Sequence, residues 1–280
     1  MYATTLRLGL CGGALLCGFA AAAAQERKTQ ILRVCASTSD APYSTSDETG
    51  FENKIAGVLA EEADMELELV MIDKAAIYLH RDGIEKDLCD VLVGVDTGDE
   101  RLLTSDAYYR SGYAFISRQD RGFEGDKWQD ADQDGFSTFS YRYHTPAETI
   151  LKYTGRYEYN LVYQASLTDF EDRRNKYTQV PADRVVAEVE AGNADLAIVF
   201  APEAGRYVRD AGTPLKMTLI TNDIERSDGV IIPLQYNQSV GVTKRKPGLL
   251  PVINEALESG RDRIRAILDE EGIPTLPLES

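Results

Sequence analysis

The stretch CDVLVGVDTGDERLLTSDAYYRSGYAFISR, residues 89–118, decides how this chain folds. It contains two apolar runs, residues 91–95 and 113–116. Both runs are short and rich in β-branched or aromatic residues, as is typical of strands that are buried on both faces. A polar turn, residues 96–101, follows the first run. Because open α/β sheets bind ligands at the carboxyl ends of their strands, this turn is predicted to line a ligand cleft.

Apolar strands and amphipathic helices alternate on both sides of this stretch. Further strands are predicted at 31–35, 67–71, 194–200, 217–220 and 235–243, and helices from residue 51 and at 75–85, 183–192 and 249–271. This order predicts an α/β protein in which each lobe is a mostly parallel sheet flanked by helices. A charged, glycine-bearing segment, residues 119–136, separates the two series of elements and is predicted to enter the second lobe.

Composition narrows the class of protein. The chain has 280 residues, of which 43% are hydrophobic and 27% charged, and this is typical of a soluble globular protein with one or two domains. A formal net charge of −16 repels nucleic acids and anionic membranes, so no nucleic-acid partner is expected. The charge could steer a basic protein partner or serve solubility alone, and both interpretations remain open.

Residues 1–24 have the organisation of a secretory signal peptide. Arg7 forms the positive region, residues 8–19 the apolar region, and residues 22–24 the small-residue cleavage site. The apolar run is too short to span a membrane. We therefore expect export to a bacterial periplasm, with Gln25 as the first mature residue and no membrane span after cleavage.

Two cysteines remain after cleavage, Cys35 and Cys89. They end one predicted strand and begin its neighbour, so a disulfide is the first expectation in an oxidising compartment. The register leaves open a Cα separation beyond the ~7 Å that a disulfide tolerates. Two buried free thiols are therefore the alternative.

An aspartate-rich turn is the one candidate metal site. Asp130, Asp132 and Asp134, followed by Gly135, fit the first six positions of a calcium loop. The twelfth position requires a bidentate glutamate, and Tyr141 stands there instead. A solvated turn is favoured over calcium, and no cofactor is expected. Since the sequence shows no nucleophile–base pair and no glycine-rich phosphate loop, enzymatic activity is not expected.

The central stretch resembles that of the type II periplasmic solute-binding proteins, in which a D-[AV]…T-x-E-R…F-[ST]-x-P-[YF] passage lines the cleft. The resemblance implies a two-lobed fold with two hinge crossings, in which residues 25–117 and 237–280 form lobe 1 and residues 118–236 form lobe 2. It also implies a set of cleft or binding residues: Tyr43, Asp96, Thr97, Arg101, Tyr108, Tyr109 and Phe200.

Amino-acid-binding members of that superfamily hold the ligand carboxylate with an arginine, which Arg101 matches, and the ligand ammonium with an acid of lobe 2. The position of that acid is occupied by Phe200. Asp96 is close enough along the turn to pair with Arg101 and cancel its field. An apolar ring cannot satisfy an ammonium group. Both halves of the pocket are altered, so an α-amino acid is not the expected ligand.

A closer resemblance extends over nearly the whole mature chain. It is carried by segments 32–36, 50–56, 81–86, 89–101, 108–113 and 204–210. In these segments the chain resembles the MxaJ (MoxJ) family, which accompanies the PQQ-dependent methanol dehydrogenase of methylotrophic bacteria. The resemblance implies a non-catalytic periplasmic accessory protein that assists assembly or activation of that dehydrogenase by protein–protein interaction and is a monomer on its own.

Two other functions remain as alternatives. One is the solute-binding receptor of an ABC-type importer for a small polar ligand other than an α-amino acid. The other is a calcium-carrying chaperone, which depends only on the aspartate-rich turn.

Overall fold

The structure, a computed structural model, describes residues 1–2, 30–168 and 179–279. All but the first two residues of the predicted signal peptide lie outside the described residues, and so does the predicted mature N-terminus, Gln25. In the part of the chain that is described, no helix combines the length and the apolar character needed to cross a membrane.

The strands follow the apolar runs of the sequence. Within the described ranges they are β1 (Gln30–Ser37), β2 (Ser39–Asp40), β3 (Ser44–Thr45), β4 (Met65–Ile72), β5 (Val91–Asp96), β6 (Leu103–Thr104), β7 (Tyr109–Arg118), β8 (Phe139–Tyr141), β9 (Leu196–Phe200), β10 (Leu215–Leu219), β11 (Ile224–Glu225), β12 (Ile231–Ile232) and β13 (Gln235–Val242).

The helices cover the strands. Those described are α1 (Phe51–Glu62), α2 (Pro146–Tyr153), α3 (Tyr157–Ser166), α4 (Ala182–Glu190), α5 (Ala201–Arg209), α6 (Leu249–Ser259) and α7 (Arg261–Glu270), with 3-10 turns at Ala76–Tyr78, Gln119–Arg121 and Trp128–Asp132 and a π turn at His80–Ile84. The single helix predicted over 249–271 is divided at Gly260. A Cβ at Gly260 would stand 2.7 Å from Val58 Cγ1 of α1, so the break allows α1 to pack closely there.

Lobe 1 is built on the strand order β4-β1-β5-β13. β1 pairs in parallel with β4 and β5, whereas β13 pairs antiparallel with β5. Its core joins β1, α1, β5, β13, α6 and α7, with Leu32, Phe51 and Ile253 fully buried. A long parallel sheet with helices against it buries both faces of its strands, which explains their continuous apolar runs.

Lobe 2 is also a sheet flanked by helices, but its strands pair mostly antiparallel. β8 pairs in parallel with β9, β9 pairs antiparallel with β7, and β10 pairs antiparallel with the other edge of β7. Two apolar clusters cover the faces of this sheet, one around Phe115, Phe139 and Tyr141, the other around Ile116 and Val185. The predicted α/β class with two lobes is confirmed, but the prediction of mostly parallel strands is wrong for lobe 2, where two of these three pairings are antiparallel.

Two long strands connect the lobes. In β7, residues 109–112 pair with β13, and residues 113–118 pair with β9 and β10. The lobes therefore share hydrogen-bonded strands. The lobe boundaries at 117/118 and 236/237 stay a prediction.

A buried carboxylate fastens the lobes where α5 meets the end of α7. Arg206 donates from Nε and Nη2 to the two carboxylate oxygens of Glu271, at 2.7 and 2.8 Å. Lys54 Nζ of α1 donates to the same carboxylate at 3.2 Å. Burial would raise the pKa of Glu271, but the hydrogen bonds and charges of Arg206 and Lys54 outweigh it, and the pKa is lowered.

A second buried carboxylate, Asp90, lies just before β5. Arg33 of β1 grips it through Nε and Nη2, and Lys246 Nζ donates to it at 2.8 Å. Burial opposes ionisation of Asp90, but these two cations keep its pKa below the usual value. The adjacent Cys89 forms a disulfide with Cys35 of β1, and the two Cα atoms are 5.4 Å apart, inside the range that a disulfide accepts.

Candidate functional site

A cleft of about 1120 Å³ lies between the lobes. Lobe 1 contributes the β2–β3 hairpin, the first turn of α1 and the carboxyl end of β5, and lobe 2 contributes the segment after β8, the end of β9 and the start of α5. The cleft therefore opens at the carboxyl ends of β5 and β9, where α/β sheets place their ligands.

Three aromatic rings form one wall of the cleft. Phe200 ends β9 and precedes α5, and it lies opposite Tyr113 of β7 in the strand register. The ring centroid of Phe200 lies 5.7 Å from that of Tyr113 and 5.9 Å from that of Tyr236. These spacings are typical of interacting aromatic rings. We call Tyr113, Phe200 and Tyr236 the ring wall.

Lobe 2 contributes an ion pair next to the ring wall. Glu203, in the first turn of α5, accepts a hydrogen bond from Arg142 Nη1 at 2.6 Å. Burial raises the pKa of Glu203, and Arg142 lowers it only in part. An acid of lobe 2 thus reaches the cleft three residues after Phe200, one helical turn beyond the position expected from the sequence.

Lobe 1 contributes Glu52, in the first turn of α1. Its Oε1 occupies the space that a side chain on residue 94 would need, because a Cβ on Gly94 would lie 1.7 Å from that oxygen. Gly94 also has a φ of 72°. A glycine inside a strand weakens the strand, and its use here admits the carboxyl group into the cleft wall. Burial, together with the charge of Asp40, raises the pKa of Glu52 well above its usual value.

Asp40 and Tyr43 approach Glu52 from the β2–β3 hairpin. The Tyr43 ring lies 4.9 Å from that of Phe51, the first residue of α1, so the hairpin packs against the start of the helix. Burial raises the pKa of Asp40, and the positive charge of Arg142 opposes this only in part. The pKa of Tyr43 is raised by burial and then by the charges of Glu203 and its neighbours.

The structure brings three of the predicted cleft residues together. Tyr43, Asp96 and Phe200 all line the cleft. Asp96, at the end of β5, accepts a hydrogen bond from Gln238 Nε2 of β13 at 2.7 Å.

The other predicted cleft residues do not line it. Thr97 shares a hydrogen bond with Ser239, with the two hydroxyl oxygens 2.6 Å apart. Tyr109 is buried in the core of lobe 1, and Tyr108 packs against that core, with the two rings 5.0 Å apart. The resemblance to solute-binding proteins placed these side chains in the cleft, whereas the structure turns Tyr109 into the core of lobe 1, packs Tyr108 against that core and pairs Thr97 with β13.

The predicted pairing of Asp96 with Arg101 is wrong. Arg101 turns back on Asp99, donating from Nε and Nη2 to its carboxylate, and the backbone N–H of Arg101 also donates to Asp99. The pair closes a local turn of two residues, which requires less ordering of the chain than a longer reach to Asp96. Arg101 is largely exposed and stands outside the cleft.

The aspartate-rich turn does not gather its carboxylates. Asp130 Oδ2 accepts the backbone N–H groups of Asp126 and Lys127, and Asp132 forms an ion pair with Arg156 at 2.7 Å. Asp134 belongs to the exposed loop that follows. Among the described residues, no group of three or more histidine, cysteine, aspartate or glutamate side chains is arranged to hold a metal ion.

Sequence reasoning found Asp96 but missed the other charged residues of the cleft. These are Asp40, Glu52, Arg142, Asp183 and Glu203. Glu52, Asp183 and Glu203 lie in the first turn of a helix, where acidic residues are common for helix-dipole reasons alone. The only local signal was Gly94, a glycine within an apolar strand, which indicates a close approach by another group.

Comparisons with known proteins identify close relatives. The chain is 75% identical to Protein MoxJ of Paracoccus denitrificans over 249 residues, covering 89% of this chain and 90% of the relative. It is 42% identical to Protein MoxJ of Methylorubrum extorquens over 260 residues, covering 93% and 86%. No protein-family model matches the chain.

Solved structures agree with these relatives. The crystal structure of MxaJ from Methlophaga aminisulfidivorans has a TM-score of 0.82 and 43% identity, covering 88% of this chain and all of that one. The periplasmic binding protein XoxJ from Methylobacterium extorquens AM1 has a TM-score of 0.65 at 23% identity, with the same coverage. The likeness to XoxJ shows the fold alone.

Proposed function

This chain belongs to the MoxJ family of periplasmic binding-type proteins, and we propose that it is a non-catalytic accessory protein of methanol oxidation. It works in the periplasm after export through its signal peptide. There it assists the assembly or activation of a PQQ-dependent methanol dehydrogenase by binding a segment of the enzyme in the cleft between the lobes. Its identity of 75% to a protein named MoxJ supports this.

The observation that carries the proposal is that the arginines at or near the cleft are already ion-paired with acids of the chain. A free amino acid or organic acid needs a cation for its carboxylate. Arg101 is held by Asp99 outside the cleft, and Arg142, which lines it, is paired with Glu203. The acids Asp40 and Glu52 would also repel an anion. The cleft therefore suits the usual small solutes of its superfamily poorly.

The ring wall favours a polypeptide occupant. Aromatic side chains offer large contact area with few rotamers to fix, and they are enriched among residues that dominate binding between proteins. The volume of the cleft, about 1120 Å³, lies at the upper end of the range of a few hundred to about 1,000 Å³ that is usual for small-molecule pockets. Several side chains of a partner segment could be accommodated.

The test is a calorimetric titration of the mature protein with purified methanol dehydrogenase. We expect saturable binding, and Phe200→Ala should weaken it about tenfold or more because the ring lies at the centre of the ring wall. Tyr159→Ala is the matched control, since it removes an exposed ring of α3 outside the cleft. Circular dichroism should show both variants folded.

A thermal-shift screen of small polar solutes separates the importer alternative. Stabilisation by one solute, together with no affinity for the dehydrogenase, would overturn the accessory function and favour a solute receptor. Equal loss of binding in Phe200→Ala and Tyr159→Ala would instead move the contact away from the cleft.

A further inference from the structure

The cleft has an imbalance of charge. Acidic side chains line it in both lobes, namely Asp40, Glu52, Asp96, Asp183 and Glu203. Of the lysine and arginine side chains in the described ranges, Arg142 is the one that lines the cleft, and it is ion-paired with Glu203. After that pair is discounted, negative charge dominates the remaining surface of the cleft.

Two of these acids lack a directly bonded partner in the described structure, although the charge of Arg142 acts on Asp40 from a distance. Among the described residues, neither the Glu52 nor the Asp40 carboxyl group forms a hydrogen bond or an ion pair. Asp96, in contrast, is held by Gln238. Buried and half-buried carboxylates usually have hydrogen-bond partners, so two carboxylates in a cleft wall that lack them among the described residues favour a ligand that supplies the partner.

The buried hydroxyl group of Tyr109 lies in the electrostatic field of Glu52. Tyr109 is only 3% exposed, and its hydroxyl has no hydrogen-bond partner among the described residues. Burial raises its pKa, and the charges of Glu52 and Asp96 raise it further, so the hydroxyl lies within the field of both cleft acids. Tyr109 lies in the core of lobe 1 and does not line the cleft, so its hydroxyl belongs to the surroundings of Glu52 and is not itself a ligand contact.

The backbone is adapted to keep Glu52 in place. Gly94 leaves the volume that the carboxyl group occupies, and any other residue at 94 would have to displace it. The loss of a strand side chain weakens β5, and both the left-handed backbone of Gly94 and the position of Glu52 favour glycine there. The carboxyl group therefore belongs to a built site and is not a chance surface acid.

The ring wall supplies the second half of the site. Tyr113, Phe200 and Tyr236 line the same cleft as Glu52, with Tyr43 alongside. Aromatic faces cannot replace a hydrogen-bonding anion, but beside carboxylates they add cation–π attraction for an ammonium or guanidinium group and bury an apolar stem. Carboxylates beside aromatic rings are the environment that an organic cation prefers, whereas a carboxylate on the ligand would be repelled by the same acids.

We propose that the cleft binds an organic cation, a primary ammonium or guanidinium group on an apolar stem, with the charged group at Glu52 and Asp40 and the stem against the ring wall. The inference concerns the cleft of the proposed function and rests on it for one source of the ligand, a lysine or arginine side chain of the partner polypeptide. A free organic amine presents the same chemistry.

Three probes test the site by calorimetry at low ionic strength. They are butylamine, N-acetyl-lysine amide, and N-acetyl-norleucine amide as the neutral control. The two cations should bind and the neutral control should not. Glu52→Gln should weaken binding of the cations about tenfold, since it removes a charge-assisted hydrogen bond but keeps the shape of the side chain. Glu258→Gln, on an exposed face of α6, should leave binding unchanged.

The outcomes separate this inference from the proposed function. Binding of butylamine without N-acetyl-lysine amide would support the cation site and exclude the polypeptide source. Failure of both cations, while the dehydrogenase still binds, would overturn the cation site and leave the proposed function standing. Binding of the cations without any affinity for the dehydrogenase would support the cation site and overturn the proposed function. Equal affinity of the lysine and norleucine amides would also overturn the cation site.

Discussion

Two carboxyl groups near α1, those of Glu271 and Glu52, have opposite electrostatic environments. Glu271 is held by Lys54 of α1 and by Arg206, and its pKa is lowered. Glu52, two residues before Lys54, has no such partner among the described residues, and its pKa is raised. The acid that fastens the lobes is supplied with cations, and the acid that faces the cleft is not. The pairing of Glu271 thus serves the contact between the lobes, whereas Glu52, unpaired among the described residues, is available to a ligand in the cleft.

The largest effect is expected from the disulfide, which belongs to the structural side of this comparison. Cys35 and Cys89 are 54 residues apart, so the Cys35→Ala/Cys89→Ala double variant should lose about 4 kcal/mol of unfolding free energy as the unfolded chain gains freedom. Urea denaturation measures this. Binding of butylamine by the folded variant should not change, and a parallel loss of binding would show that cleft and scaffold are not separable.

The paired acid is tested next by Arg206→Met. Glu271, itself only 2% exposed, would keep Lys54 alone, and we expect the unfolding free energy at pH 7 to fall by about 3 kcal/mol. Arg261→Met is the control, because Arg261 and its partner Glu258 are both exposed to solvent. This substitution should lower the unfolding free energy by about 0.5 kcal/mol or less. Similar losses in the two variants would contradict a special role for the contact between the lobes.

Acid should weaken the same contact. A carboxyl group whose pKa is lowered by folding contributes stability above its unfolded pKa of about 4.3, and this contribution is lost as the pH falls towards the folded pKa. The wild-type protein should therefore lose more stability than Arg206→Met between about pH 5 and pH 3. Parallel pH profiles of the two proteins in urea denaturation would contradict the pairing.

The close approach of Gly94 to Glu52 gives an intermediate effect. Gly94→Ala would add a Cβ at 1.7 Å from Glu52 Oε1 and place alanine at a φ of 72°, at a cost of about 2 kcal/mol. Butylamine binding should fall with it. In the double variant with Glu52→Gly, the steric part of the cost should disappear, and the two substitutions should therefore be non-additive. Simple additivity would mean that backbone strain alone is responsible.

The smallest effect, and the one of opposite sign, is expected for Glu52→Gln. A carboxyl group whose pKa is raised by folding destabilises the protein once the pH exceeds its unfolded pKa. The variant should be more stable than the wild type at pH 8, by on the order of 1 kcal/mol, and equal to it near pH 4. Thermal unfolding at both pH values decides this, and a destabilised variant at pH 8 would mean that Glu52 has a partner.

The scaffold could be predicted from the sequence because buried strands and helices show characteristic patterns of apolar residues. The runs that became β1, β5, β9 and β13 are apolar and short, and their order implied an α/β protein, while the resemblance to solute-binding proteins implied the two lobes. The interruption of the last helix was missed, because its cause is the packing of Val58 against Gly260, a contact between residues far apart in the chain. Periodicity within a helix carries no information about such a contact.

The site was predicted less completely. Phe200 and Tyr43 were found because a sequence pattern fixes their positions, whereas Glu52 and Glu203 lie in the first turns of helices, where acids occur for other reasons. The partner of Arg101 was misjudged because two acids lie within reach of it along the turn. Only the conformation of that turn selects Asp99.

The continuity of β7 has a mechanical consequence. The strand passes from the sheet of lobe 1 to that of lobe 2 without leaving its hydrogen-bonded ladders, changing partners between Gly112 and Tyr113. Any rotation of one lobe against the other must then bend a continuous hydrogen-bonded sheet, which resists the rotation elastically. A guest that fills the open cleft needs no such bending. A small solute that depended on closure would have to work against it.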